Sequence, residues 1–124
     1  MFLTKDQIVE SDDLGLLEVE VPEWKPKGWK SEDGVPRVFI RVMSVGERDA
    51  YEREWIGKKE TGVDNFRAKF LQRVLCDKDG KLLFSAEETA LLSQKSARVM
   101  ARLWEKAMKH NALMADDVET MAKN

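Results

Sequence analysis

Arg37-Val38-Phe39-Ile40-Arg41-Val42-Met43-Ser44-Val45-Gly46-Glu47 is the stretch that decides the fold. Val38, Ile40 and Val42 alternate with Arg37, Phe39 and Arg41, the period of a half-buried strand. At Ser44 the period changes from two to about 3.6, and Ser44 with Glu47 has the spacing of a capping box. A strand therefore runs directly into a helix, which the pattern carries to about Ile56. Upstream, Leu17, Val19 and Val21 alternate with Glu18 and Glu20, and Pro22 closes that strand. Residues 23 to 36 hold Trp24, Pro26, Gly28, Trp29, Gly34 and Pro36, the composition of a loop. The simplest assembly is an antiparallel pair joined by a long loop. Two strands alone are barely stable, so helices must cover one face.

Downstream the pattern is helical. A helix from about Asp64 to Cys76 would bury Phe66, Phe70, Leu71 and Val74. Asp77-Lys78-Asp79-Gly80 is a turn, and Leu82 to Phe84 is a short extended piece. Ser85 and Glu88 have capping-box spacing for a short helix to about Leu92. The longest helix runs from about Gln94 to His110, with Ala97, Met100, Ala101, Leu103, Trp104, Ala107 and Met108 as its apolar positions. Asn111 suits a left-handed cap. A short helix from Asp116 to about Ala122 follows. Ahead of the strands, Thr4 and Gln7 have capping-box spacing for a helix to Glu10. The expected fold is α+β: one domain over residues 1–124, mostly helical, with a small N-terminal antiparallel strand pair. Residues 1–43 hold the first helix, the strands and the loop, and residues 44–124 the helical part.

Composition narrows the function. The 124 residues suit one domain able to bury a core without metals or disulfides. Charged residues make up 35% of the chain, yet the formal net charge is −2, so no global field points to nucleic acid or membrane. No stretch approaches the roughly 20 apolar residues of a membrane helix. The start of the chain lacks the pattern of a signal peptide. A single cysteine, Cys76, allows no intrachain disulfide and fits a reducing compartment.

No set of reactive groups emerges. Cys76 and His110, each the only one of its kind, fall at the ends of different helices. Cys76 reads as a small core residue and His110 as a helix C-terminal cation. Residues 77 to 80 resemble a fragment of a calcium loop but lack its further ligands, so a turn is expected there. No glycine-rich phosphate loop is present. The reading is of no catalytic residues, no cofactor and no metal.

Charge and aromatic placement supply the candidates. Asp6, Glu10, Asp12, Asp13, Glu18, Glu20 and Glu23 stand against Lys5 alone in the first 23 residues. Lys95, Arg98, Arg102, Lys106 and Lys109 recur three and four apart on the long helix, opposed by Glu105. That stripe is either a solvated face or a contact for an acidic surface such as the N-terminal region of a neighbouring copy, which could build rings or filaments. A third reading is nucleic acid, with residues 86 to 110 as a weak helix-turn-helix, against which the acidic remainder of the chain counts. Trp24 and Trp29 either fold back onto the sheet or, if exposed, anchor a partner. Trp55 and Trp104 read as core.

Three segments together resemble a known family. Arg41-Val42-Met43-Ser44-Val45-Gly46-Glu47-Arg48-Asp49-Ala50-Tyr51-Glu52 is followed by Arg73-Val74-Leu75-Cys76-Asp77-Lys78-Asp79-Gly80-Lys81-Leu82-Leu83-Phe84. Then comes Leu92-Ser93-Gln94-Lys95-Ser96-Ala97, opening a helix that leads through Leu103 to Asn111 and Leu113. Their order and spacing, over about residues 37 to 115, resemble the tail assembly chaperones of long-tailed bacteriophages. The resemblance implies a non-enzymatic protein of the host cytoplasm, absent from the mature virion. Its implied partners are the tape measure protein, which it would keep soluble, and the tail tube protein, which it would help recruit. Self-association is also expected. Many such proteins have a longer form made by ribosomal frameshifting. Ala122-Lys123-Asn124 would allow the slippery run A-AAA-AAC if the codons are GCA-AAA-AAC, which reading the gene would settle. The competing expectations are a small DNA-binding regulator using the helix at 94–110, and an enzyme subunit with a deep polar pocket.

Overall fold

A computed structural model of the chain describes residues 1–54 and 65–113. The expected core position of Trp55, the helix end at Ile56, the polar link at 57–62 and the helix at 116–122 lie outside the described residues.

The element order is α1 (Lys5–Glu10), β1 (Leu16–Glu20), β2 (Arg37–Arg41), α2 (Val45–Arg53), α3 (Phe66–Gln72), β3 (Leu75–Cys76), α4 (Thr89–Leu92) and α5 (Ala97–His110). Single 3₁₀ turns at Ser31–Asp33 and Ala86–Glu88 complete it. The α+β class is as expected. β1 and β2 pair antiparallel with Leu17 opposite Ile40 and Val19 opposite Val38. Val19, Val21 and Ile40 are buried while Glu18 and Glu20 face out, so the alternation set the register.

The sheet has a third strand. β3 lies on the other edge of β2, with Phe39 opposite Cys76 and Ile40 opposite Leu75. The helix expected through Cys76 stops at Gln72 instead. Leu71, Gln72, Val74, Leu75 and Cys76 are all buried, a run too continuous for one face of a helix. The free edge of β2 supplies the hydrogen bonds that a longer helix would have made internally. The Arg41 N–H donates to the Val74 carbonyl (2.9 Å) and extends that ladder. The turn after β3 is built by Asp77, whose Oδ1 accepts the N–H groups of Asp79 (2.9 Å) and Lys81 (3.0 Å). Gly80 closes it with φ +80°, a conformation that disfavours a side chain. Leu82 then bridges back to Cys76.

α3 packs on α5 and α4, and α5 packs on β2. Phe70, Leu71, Val74, Leu103 and Ala107 fill the space between helices and sheet, each shielded from solvent. α5 begins at Ala97, not Gln94. Its N-cap is Ser96, and the N–H groups of Gln94 and Lys95 bond back to Leu91 and Leu92 to close α4. Its inward face is Val99, Met100, Leu103 and Ala107, whereas Ala97 and Ala101 face solvent. Asn111 caps the helix at φ −90°; the left-handed residue is Ala112, at φ +52°.

α2 starts as its sequence dictates. Glu47 N–H donates to Ser44 Oγ (3.2 Å) and Ser44 N–H donates to Glu47 Oε1 (2.9 Å). Replacing Ser44 with alanine removes one half of this box. The expected cost is about 1 kcal/mol in equilibrium unfolding; an unchanged stability would show that solvent replaces the cap.

Candidate interaction surfaces

The loop between β1 and β2 uses its tryptophans internally. Trp24 is partly buried against the core, with Lys95 Nζ 5.7 Å from its ring centroid. Trp29 Nε1 donates to the Gly34 carbonyl (2.8 Å), and Lys25 lies 4.4 Å over its ring. Each indole thus has a partner within its own chain and a lysine ammonium facing its ring.

The basic stripe divides. Arg102 makes a two-pronged pair with Glu23, both contacts at 2.7 Å, joining the long helix to the loop that follows β1. That contact satisfies one acidic N-terminal residue inside the same chain. Arg98 adds to the positive field on Glu23. Lys106 and Lys109, with Glu105 and Arg102, line an open surface hollow, and neither lysine has an ion pair among the described residues.

The hydrogen bonds from Arg102 hold the Glu23 carboxyl down to about 2, well below its ordinary value. A depressed carboxyl pKa contributes stability that is present above the ordinary carboxylate range. That contribution is lost as pH falls from there through about 2. The pair is solvent-exposed, so its effect on unfolding is small. The expected result for Arg102→Ala is a Glu23 carboxyl that titrates near the ordinary carboxylate value, read by NMR. A titration unchanged by the substitution would place the cause outside this pair.

Cys76 and His110 are not brought together for chemistry. Cys76 is buried in β3, and that burial pushes its thiol pKa up, away from the reactive thiolate. His110, at the far end of α5, donates from Nε2 to the Gly15 carbonyl (2.8 Å). Burial likewise raises the Tyr51 hydroxyl above its ordinary value, against the favourable field of Arg73.

Two features escaped the sequence reading. The first is a hollow of about 260 Å³ between α3, α4 and the start of α5. Phe66, Leu92 and Met100 line it together with Ser93, Arg67 and Lys95. Arg67 is braced there by the rings of Phe66 (4.6 Å) and Trp104 (5.0 Å), which meet edge to face. The second is α1. None of its residues is buried; Ile8 is 60% and Val9 76% exposed, and Phe2 ahead of it is 100% exposed. Its apolar content was visible, but only the structure shows that none of its side chains is buried among the described residues.

A solved structure shares this arrangement. The chain is similar to the bacteriophage HK97 tail assembly chaperone, with a TM-score of 0.53 and 22% identity over 89% of this chain and 92% of that one. The likeness is one of fold. No family model matches the chain, and no curated protein matches it.

Proposed function

We propose that this chain is a tail assembly chaperone of a long-tailed phage. It binds and solubilises the tape measure protein and helps recruit tail tube subunits around it in the host cytoplasm. The observation that carries the reading is the fold shared with the HK97 chaperone along nearly the whole of both chains. The surface supports it. Phe2, Leu3, Ile8, Val9, Leu83 and Leu91 are apolar and exposed, set among charged residues. Scattered apolar contacts of this kind bind a long helical client weakly and repeatedly, which suits reversible holding. Arg102, a central cation of the stripe, already has a carboxylate partner, which weakens the DNA-binding alternative.

Co-expression with the large helical product of the neighbouring gene tests the proposal. The expected outcome is that the large protein stays soluble only when this chain is present, and that the two co-purify. A large protein equally soluble without it would overturn the reading. Absence of the chain from purified virions, checked by mass spectrometry, is expected on the same view.

A further inference from the structure

The two rims of the sheet differ. In the order β1–β2–β3, the outer strands are β1 and β3. Beyond β3 the chain folds back on itself: Leu82 bridges to Cys76, and the Leu83 N–H donates to the Leu75 carbonyl (3.1 Å). No such backbone contact lies along the outer side of β1 among the described residues.

The ladder fixes which backbone groups of β1 are left over. The Val21 N–H donates to the Pro36 carbonyl (2.7 Å), continuing the register in which Glu20 faces Arg37. Hydrogen-bonded pairs alternate along an antiparallel ladder, so Leu17, Val19 and Val21 are the residues bonded to β2. The other side of β2 gives the same phase. The Arg41 N–H donates to the Val74 carbonyl, so Phe39 and Arg41 bond toward β3 and leave Val38 and Ile40 for β1. Leu16, Glu18 and Glu20 therefore turn their N–H and C=O groups away from β2, and no other described residue bonds those groups. Their side chains share the outer face of the sheet and are exposed, while Val19 between them is buried and holds the strand in place from beneath.

A row of open backbone groups accepts an added strand, and the side chains beside it decide which strand. Arg37 pairs with Glu18 (2.9 Å), but Glu20 has no ion pair among the described residues. A second copy laid along this edge would set Glu18 and Glu20 against the same two carboxylates. Like charges directly opposite one another destabilise a strand pair. The same carboxylates favour an extended segment with Lys or Arg on the outer face. On the inner face that segment would carry apolar residues, next to the partly buried Leu17. We propose that β1 is a docking edge for an extended basic segment of another protein. The segment pairs antiparallel with Leu16–Glu20 as a fourth strand, with its basic residues opposite Glu18 and Glu20 and its apolar residues opposite Leu17 and Val19. The proposal needs only the sheet edge, so it and the chaperone reading can fail separately.

The test uses the full-length protein and a blocked six-residue peptide that alternates lysine and valine, read by NMR and amide hydrogen exchange. In the free protein the Val19 and Val21 amides should be protected, and those of Glu18 and Glu20 should exchange fast. A strand this short buries little area, so the peptide is titrated to millimolar concentration. It should then protect the Glu18 and Glu20 amides. The same peptide methylated at the lysine backbone nitrogens should not, because those N–H groups are the ones that face β1. A peptide with glutamate in place of lysine should not bind either. Glu20→Lys should weaken the lysine peptide about threefold or more. Glu18→Pro removes an N–H that β2 does not use, so it should fold as wild type by circular dichroism yet lose the peptide. If that variant misfolds, Glu20→Lys and the methylated peptide still decide the matter. Glu18 and Glu20 amides already protected in the free chain would overturn the proposal. So would no new protection with the lysine peptide, or equal binding of the methylated one. Protection that rises with protein concentration alone would also overturn it, by giving the edge to a second copy.

Discussion

Replacing Phe70 with alanine is expected to cost about 3–5 kcal/mol of folding stability. Phe70 is wholly shielded from solvent in the core cluster, on the helix α3 that packs on α5 and α4. Its ring centroid lies 5.6 Å from that of Tyr51 at a tilt of 45°, so truncation removes an aromatic contact as well as apolar area. The neighbours cannot easily close the gap. Tyr51 belongs to α2, whose start is fixed by the Ser44–Glu47 box, and Val74 is tied to Arg41 through the ladder. A loss of that size is a large share of the roughly 5–15 kcal/mol that hold an ordinary domain together. Urea unfolding should show a lower midpoint at an unchanged slope. Phe70→Leu, which keeps most of the volume, should cost under about 1.5 kcal/mol. If alanine costs no more than leucine, the site collapses freely and α3 is not the keystone of the core.

What could be read from the sequence was local. β1 and β2 follow from strict alternation, and the Thr4–Gln7 and Ser44–Glu47 caps lie within single turns. The third strand could not be read the same way. Leu75 and Cys76 are too short for a period to appear, and they are strand because β2 offers an open edge. The rotation of α5 was misjudged for a related reason. Alanine buries little area, so Ala97 and Ala101 carried no weight against Val99, and the helix turned to bury the valine. The cations of the stripe were legible, but the Arg102–Glu23 pair joins residues 79 apart and leaves no local trace. The same holds for the hollow, which three separate helices build.

Asn111 shows how far a local reading falls short, and it sets the second large effect. As a cap it would be nearly interchangeable with glycine. Instead its side chain is buried and fully used. Oδ1 accepts the Met43 N–H (2.8 Å), and Nδ2 donates to the carbonyls of Arg41 (3.2 Å) and Ala107 (2.9 Å). Arg41 pairs with Leu16 across the β1–β2 ladder, and His110 holds the Gly15 carbonyl beside it. Two consecutive residues at the end of α5 therefore clamp the same end of the hairpin. Asn111→Leu leaves the Met43 N–H without its acceptor and takes the amide donor from the Arg41 carbonyl, while the Ala107 carbonyl keeps the backbone N–H of residue 111. The expected cost is about 2–4 kcal/mol, with the Met43 amide showing the largest gain in hydrogen exchange. Asn111→Asp is the sharper test. It keeps the acceptor for Met43 but sets a carboxylate oxygen against two carbonyl oxygens, which raises the folded-state pKa of that carboxyl. Protonation restores an O–H donor, so this variant should recover stability toward wild type as pH is lowered from about 7 to about 4. Asn111→Leu should show no such recovery. A parallel pH response in the two variants would mean that the amide donors, and with them the clamp on the hairpin, do not hold the helix to the sheet.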